Sequence, residues 1–136
     1  MKKKQEQKYR LTVTEHQLRL IAACVEDLHR FMGGQMEMSH TVSMLDNWKE
    51  IEDKLRELHP LVVPNLPFNA CYGWSGGSCT NDWQRKFLAE TYCIYREIIH
   101  RLTVENHKDE DGFWNVYLGE TLTCEEGGEL PKIEKL

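Results

Sequence analysis

Residues 80–102, TNDWQRKFLAETYCIYREIIHRL, decide the fold, because they carry the longest helical pattern in the chain. Apolar side chains recur there at intervals of three, four and seven residues, which is typical of one face of a helix. The segment is also rich in aromatic residues, so we expect it to be the central helix. The predicted inward side chains are Trp83, Phe87, Ile94, Ile98 and Leu102.

Two further helices are predicted before this central one. Thr14 and Gln17 have the spacing of a capping box, in which each side chain bonds to the backbone N–H of the other residue. The helix that they begin should end at the Gly-Gly pair 33–34. A second apolar pattern predicts a helix over residues 41–58, which Pro60 should end.

Short β-rich segments stand at both ends of the chain. Residues 8–13, KYRLTV, alternate in polarity, and residues 113–118 and 121–124 flank a Gly-Glu turn like the strands of a hairpin. Residues 131–135 could add an edge strand. We therefore predict an α+β fold, in which a three-helix layer packs against a small antiparallel sheet formed by an N-terminal strand and a C-terminal hairpin.

Length and charge limit the classes of protein to consider. The chain has 136 residues, which favours a single domain over residues 1–136, with residues 1–7 frayed. The formal net charge is −5, and residues 104–136 hold 3 basic and 9 acidic side chains. Because such a tail repels a phosphate backbone, the composition disfavours bulk nucleic acid as a partner.

The expected compartment is the cytoplasm. No apolar run approaches the roughly 18 residues that a membrane span requires, so no membrane association is expected. The opening MKKKQEQKYR has no apolar core and does not match a signal peptide. The five cysteines are an odd number, which favours reduced thiols over a disulfide framework.

The most informative segment for function is the long loop over residues 60–78, which contains three prolines and three glycines. Loops of this length in compact domains are often functional. Its last part, CYGWSGGSC at 71–79, leads directly into the predicted central helix. Glycines let the backbone approach a ligand closely, and the N–H groups at a helix start favour an anion.

These features predict a site for a small anionic, nucleotide-like ligand without a further cofactor. Glycines would admit the anion, the helix start and a basic side chain would bind it, and an aromatic ring would stack on its base. The P-loop pattern GxxxxGK[ST] is absent, and a purely structural loop is an equal alternative. The predicted binding residues are Tyr72, Trp74, Gly76, Gly77, Ser78, Thr80, Arg85 and Lys86.

Three alternatives stand beside ligand binding. Cys79 could be a nucleophile at a helix start, with His100 or His107 as its base, an order that resembles cysteine peptidases. Neither histidine falls in a predicted strand, as the peptidase histidine does, so a thiol that caps the helix is favoured.

Cys71 and Cys79 are separated too widely for a typical zinc pair, so no metal is predicted. The third alternative is a protein–protein interaction or inhibitor module, because an aromatic loop stands beside an acidic tail.

The runs YGWSGGSCTNDWQRKF and ETYCIYREIIHRL resemble segments of small uncharacterised proteins of bacteriophages and bacterial mobile elements. The similarity is strongest over residues 71–102 and weaker over the first helix. It implies a bacterial or phage-infected cytoplasm and an accessory role such as interference with host defence, for example by sequestering a nucleotide signal. It assigns no site residue.

The sequence also predicts a homodimer. Phe113 and Trp114 are adjacent in a predicted strand, so their side chains must point to opposite faces of the sheet. One of them would then face outward, where exposed apolar surface marks an interface. A twofold dimer is the commonest closed assembly.

Overall fold

The computed structural model describes residues 8–107, and this part of the chain is helical. No helix within it is long and apolar enough to cross a bilayer. A single 3₁₀ turn and four α-helices follow one another in this order: α1 Glu15–Met32, the 3₁₀ turn Val42–Met44, α2 Trp48–Arg56, α3 His59–Val62 and α4 Asp82–His107.

The predicted α+β fold is wrong, because residues 8–107 contain no strand. Residues 8–13 are irregular and mostly exposed. A strand needs a neighbour for its backbone hydrogen bonds, and none of the described residues supplies one. The predicted frayed end at 1–7, the hairpin at 113–124 and the edge strand at 131–135 lie outside the described residues.

The first predicted helix is confirmed as α1. The Gln17 N–H donates to Thr14 Oγ1 at 3.0 Å, and the Thr14 N–H donates to Gln17 Oε1 at 2.9 Å, which completes the capping box. Gly33 caps the carboxyl end. Helix α1 packs against α4 through Leu18 and Ala22, which contact Ile98 in one of the apolar clusters of the core.

The helix predicted over residues 41–58 is wrong in extent, since the structure divides this segment. Leu45 adopts an extended conformation after the 3₁₀ turn, and this interrupts the helix. Helix α2 then forms as a separate piece with no buried residue. Pro60 does not mark the end of a helix but lies in the first turn of α3. Its missing N–H costs nothing there, because a backbone N–H in the first turn has no partner within the helix.

The predicted central helix is confirmed as α4, but its predicted inward face is correct only toward its carboxyl end, where Ile98 is buried and Leu102 packs against the same cluster. Trp83 is 65% exposed and Ile94 is also exposed, whereas Leu88, Tyr92 and Tyr95 are buried. Neighbouring helical positions differ by about 100° around the axis, so a stripe chosen one residue away faces a different side. The buried side also carries Gln84, Ala89 and Cys93. Because these side chains are polar or small, this side is less apolar in sequence than the one that was predicted to face inward.

Buried side chains hold the long loop after α3 against the helices. The His59 Nε2–H donates to the Ala70 carbonyl oxygen at 2.6 Å. The Tyr72 N–H donates to the Gly33 carbonyl oxygen at 2.8 Å, which joins the loop to the end of α1. The Gln84 amide donates to two further carbonyl oxygens, at 2.6 Å and 2.9 Å, at the ends of α1 and α3.

Gly76 should be sensitive to substitution because it lies against α4 in a left-handed conformation. Its φ is +66°, and an added Cβ would stand 3.0 Å from Leu88 Cδ1 and 3.3 Å from the Arg85 backbone. We expect Gly76→Ala to lower the free energy of unfolding by about 1–3 kcal/mol, as measured by urea denaturation. Gly73→Ala is the matched control, since nothing lies within 4 Å of the position that its Cβ would take. Equal losses in both variants would contradict this account.

Candidate functional site

The described residues form a pocket between the end of α1, the loop segment 72–74 and the middle of α4. Its volume is about 210 Å³. We call it the aromatic pocket, because four of its ten lining residues are tyrosine or tryptophan. The lining residues are His29, Arg30, Gly33, Gln35, Tyr72, Gly73, Trp74, Leu88, Tyr92 and Tyr95.

Aromatic rings from the loop and from α4 form one wall of the aromatic pocket. The Trp74 and Tyr92 ring centroids are 4.7 Å apart, with 32° between the ring planes. Tyr95 meets Tyr92 edge to face at 5.6 Å. Trp74 is 42% exposed, so part of its ring is accessible from solvent. A flat ligand ring can pack on such a wall, because an added aromatic ring can adopt the offset or edge-to-face arrangement that aromatic pairs prefer.

His29 lines the aromatic pocket from α1 as a buried, neutral imidazole. It is 5% exposed, and its Nδ1 lies 2.8 Å from Thr91 Oγ1. Burial, with help from the positive charge of Arg30, lowers the pKa of His29 from 6.5 to about 4. The ring is therefore uncharged at neutral pH.

Arg30 supplies the positive charge of the aromatic pocket. Its Nε–H donates to Glu26 Oε2 at 2.9 Å, and its Nη1 donates to Gln35 Oε1 at 2.8 Å. Glu26 also pairs with His40 Nε2 at 3.1 Å. Glu26 is not among the lining residues, and no other Asp or Glu of the described residues lines the pocket.

Burial is the main reason that the pKa of Tyr95 is raised, and the negative charge of Glu26 adds to the effect. The Tyr95 hydroxyl therefore stays protonated throughout the neutral range. Helix α1 thus gives the aromatic pocket the Arg30 cation, while α4 gives it the uncharged phenol of Tyr95. Arg30 is therefore the cation among the lining residues, and its ion pair with Glu26, which is outside the lining, offsets part of its charge.

Two of the eight predicted binding residues, Tyr72 and Trp74, line the aromatic pocket. The Tyr72 ring is buried, and its hydroxyl donates to Asn65 Oδ1 at 2.8 Å. Gly73, between them, also lines the pocket. The segment chosen from sequence therefore contributes to a concavity, although it does so through its aromatic residues rather than through its later glycines.

The other six predicted residues lie outside this lining. Gly76 packs against α4, and Gly77, Ser78 and Thr80 are exposed. Both basic side chains contact Asp82 in the first turn of α4: Arg85 forms a hydrogen-bonded ion pair with it, and Lys86 Nζ lies 3.4 Å from its Oδ2. The Arg85 hydrogen bond, then Lys86, lowers the pKa of Asp82. Whether any of these residues binds a ligand stays a prediction.

The start of α4 has its own cap as well as its own carboxylate. Asn81 Oδ1 accepts a hydrogen bond from the Gln84 N–H at 2.8 Å, so the side chain satisfies a backbone donor that an anion would otherwise use. Asp82 supplies the negative charge that the helix dipole favours at this end. The geometry therefore favours the aromatic pocket over the helix start as a ligand site.

Eight of the ten lining residues were not predicted from the sequence: His29, Arg30, Gly33, Gln35, Gly73, Leu88, Tyr92 and Tyr95. One signal could have pointed to Tyr95, because Tyr92 and Tyr95 stand three residues apart and must share a side of the helix. His29 and Arg30 have no such signal. Their place in the aromatic pocket depends on the long loop returning to the end of α1.

The cysteine and zinc alternatives gain no geometric support from the described residues. The Cys79 thiol is buried and donates to the Asn81 carbonyl oxygen at 3.5 Å. His100 stands about 27 Å further along α4 than Asp82, at about 1.5 Å per residue, so it is out of reach of Cys79. Within residues 8–107, no three His, Cys, Asp or Glu side chains group as metal ligands would.

Comparison of the chain with protein-family models, curated proteins and solved structures finds no match. The resemblance to phage and mobile-element proteins thus stays a prediction. Within residues 8–107, the structure shows a helical fold with an aromatic pocket, and Arg30 is the cation among the lining residues.

Proposed function

We propose that the protein is a non-catalytic binding protein that holds a small, planar, anionic ligand, such as a nucleotide, in the aromatic pocket. One observation carries the proposal: the Trp74–Tyr92 wall stands in the same concavity as Arg30, and no described carboxylate joins the lining. A base ring would stack on the wall, and a phosphate would lie beside the guanidinium.

The size of the aromatic pocket limits the ligand. Sites for drug-sized molecules have volumes of roughly 300–1,000 Å³, and this one has about 210 Å³. It has room for one ring, with the sugar and phosphate of the ligand at the mouth. Arg30 is half-exposed, which suits a cation that meets a solvated phosphate. A mononucleotide therefore fits better than a dinucleotide.

We place this function in a reducing cytoplasm. Cys24, Cys71, Cys79 and Cys93 form no disulfide bonds with one another, as is usual for proteins of that compartment. The resemblance to phage and mobile-element proteins supports a role in which the protein sequesters a nucleotide signal of host defence.

We expect mononucleotides to raise the melting temperature of the wild-type protein, because a ligand that binds only the folded state stabilises it. At 100 times the dissociation constant the gain is about 2.7 kcal/mol. The panel comprises AMP, GMP, CMP, UMP and cyclic nucleotides, with inorganic phosphate as a control for simple anion binding. Trp74→Ala should abolish the shift, since it removes the ring on which the base stacks.

Trp83→Ala is the matched control for this experiment. Trp83 lies on the same helix as Tyr92 but outside the aromatic pocket, and it stacks on Phe87 at 5.1 Å. Its variant should keep the full shift. The proposal fails if no nucleotide stabilises the wild type at millimolar concentration, or if both tryptophan variants lose the shift equally.

The second candidate function is protein–protein association, and the exposed side of α4 favours it. Trp83, Phe87 and Ile94 share one side of the helix by spacing, and Trp83 is the most exposed of the tryptophans in residues 8–107. Patches of this kind mark interfaces. The residues on which the homodimer was predicted, Phe113 and Trp114, lie outside the described part.

Light scattering at micromolar concentration tests this second candidate. We expect a mass twice the 16.0 kDa of one chain, and a shift toward one chain in Trp83→Ala. Trp74→Ala should keep the larger mass. A wild-type mass of one chain would reject the dimer.

A further inference from the structure

We propose that His29 is the specificity-determining residue of the aromatic pocket: its Nε2 atom accepts a hydrogen bond from an N–H group on the ligand ring. This inference rests on the proposed function and deepens it. It names the class of ligand as a planar ring with an N–H donor on its edge, such as an amino-bearing nucleobase.

The hydrogen bonds around Thr91 determine which nitrogen of His29 carries the hydrogen. The Thr91 hydroxyl donates to the Phe87 carbonyl oxygen at 2.6 Å, one turn earlier in α4. Its single hydrogen is thereby used, so its oxygen can only accept from the imidazole 2.8 Å away. The Nδ1 atom is therefore the donor, and in a neutral ring the Nε2 atom must be an acceptor.

Burial makes this acceptor selective. His29 is 5% exposed and belongs to the lining of the aromatic pocket, and Thr91 occupies its Nδ1 atom. We infer that Nε2 is the ring nitrogen that meets the ligand, so a ligand that displaces water there must satisfy it. A buried acceptor left without a donor costs more than a hydrogen bond to water gains. A ring with an N–H group avoids this cost, and a ring of the same shape without one does not.

The positions of the rings agree with a ligand held beside His29. The imidazole meets the Tyr95 ring edge to face at 5.3 Å and the Tyr92 ring at 5.9 Å, and Tyr92 in turn contacts Trp74. A base that stacks on the Trp74–Tyr92 wall is therefore close to the imidazole. The edge of that base is the part of the ligand that His29 can distinguish.

The test uses pairs of nucleotides that differ by one amino group. AMP is compared with purine riboside 5′-monophosphate, and CMP with pyrimidin-2-one riboside 5′-monophosphate, by titration of the intrinsic fluorescence of the full chain. We expect the amino-bearing member of a pair to bind roughly tenfold more tightly or better. This comparison needs no variant, so it stands even if a substitution at His29 prevents folding.

Two variants separate recognition from structural support. In His29→Asn the amide nitrogen takes the place of Nδ1 and keeps the bond to Thr91, but no acceptor remains at the Nε2 position. In His29→Gln the longer side chain returns an amide oxygen toward that position. We expect the selectivity ratio to fall to about one in His29→Asn and to recover in part in His29→Gln. A loss of fold alone would weaken both members of a pair equally and leave the ratio unchanged.

The outcomes distinguish the two proposals. If the nucleotides bind the wild type without preference for the amino group, or if His29→Asn keeps the preference, the role of His29 is overturned while the binding function stands. If neither AMP, CMP nor their analogues bind, the role of His29 is overturned, and the binding function is overturned with it when no other nucleotide of the panel binds. A ratio that depends on His29 supports both.

Discussion

Replacing Leu88 with alanine should lower the free energy of unfolding by about 2–5 kcal/mol, which is the usual loss for a large-to-small change in a core. Leu88 is 1% exposed, and it joins Val63, Tyr72 and Cys79 in an apolar cluster. It also lines the aromatic pocket. The missing methyl groups would therefore enlarge the pocket as well as weaken the core, and urea denaturation measures the loss.

Two controls show whether the loss comes from packing. Leu88→Met keeps the volume nearly constant and should cost less than about 1.5 kcal/mol. Leu61→Ala removes the same atoms from a side chain that is 77% exposed, so it should change the stability by less than about 0.5 kcal/mol. Equal effects of Leu88→Ala and Leu61→Ala would mean that Leu88 is not part of the core.

Local signals in the sequence predicted both ends of α1. The capping box of Thr14 and Gln17 and the glycine at 33 act within one turn of α1, so no distant residue is needed to find them. The contacts of Asp82 are also local. Arg85 follows it by three residues and Lys86 by four. That spacing predicts ion pairs within α4, and attention to it would have weakened the assignment of these two cations to a ligand.

Burial of polar side chains could not be predicted in this way. Asp27 is buried in α1 because its carboxylate accepts from the His40 N–H, at 3.1 Å, and from Thr41 Oγ1, at 2.7 Å. His29 depends on Thr91, 62 positions away. Without those partners, both residues would be placed on the solvent side of an amphipathic helix, since unpaired polar groups are costly to bury.

The same reasoning explains why only two of the ten lining residues, Tyr72 and Trp74, were predicted from the sequence. Tyr72 and Trp74 belong to a loop whose composition stands out in the sequence, whereas Arg30 and Gln35 belong to an ordinary helix end and the turn after it. The backbone bond between Tyr72 and Gly33 brings the two segments together. A pocket between segments almost 40 positions apart needs the tertiary fold before it can be described.

The buried imidazole of His29 should make the protein lose stability as the pH falls from about 6.5 to about 4. Its pKa is about 4 in the folded protein and 6.5 when exposed, so between these values the unfolded chain binds a proton that the folded one does not. Unfolding is then favoured by acid. Over the whole interval the contribution reaches about 3 kcal/mol, is fully present above pH 6.5 and is lost below pH 4.

Comparison with His29→Asn isolates this contribution, because Glu26, Asp27 and the other carboxylates are present in both proteins. Urea unfolding from pH 7 to pH 4 should give a difference between the two stabilities that shrinks toward acid by up to about 1.4 kcal/mol per pH unit. NMR titration of the His29 ring should place its midpoint near pH 4. Parallel stability curves, or a midpoint near 6.5, would mean that the ring is solvated in the folded protein, and the selectivity that its burial gives to the Nε2 acceptor would then be lost.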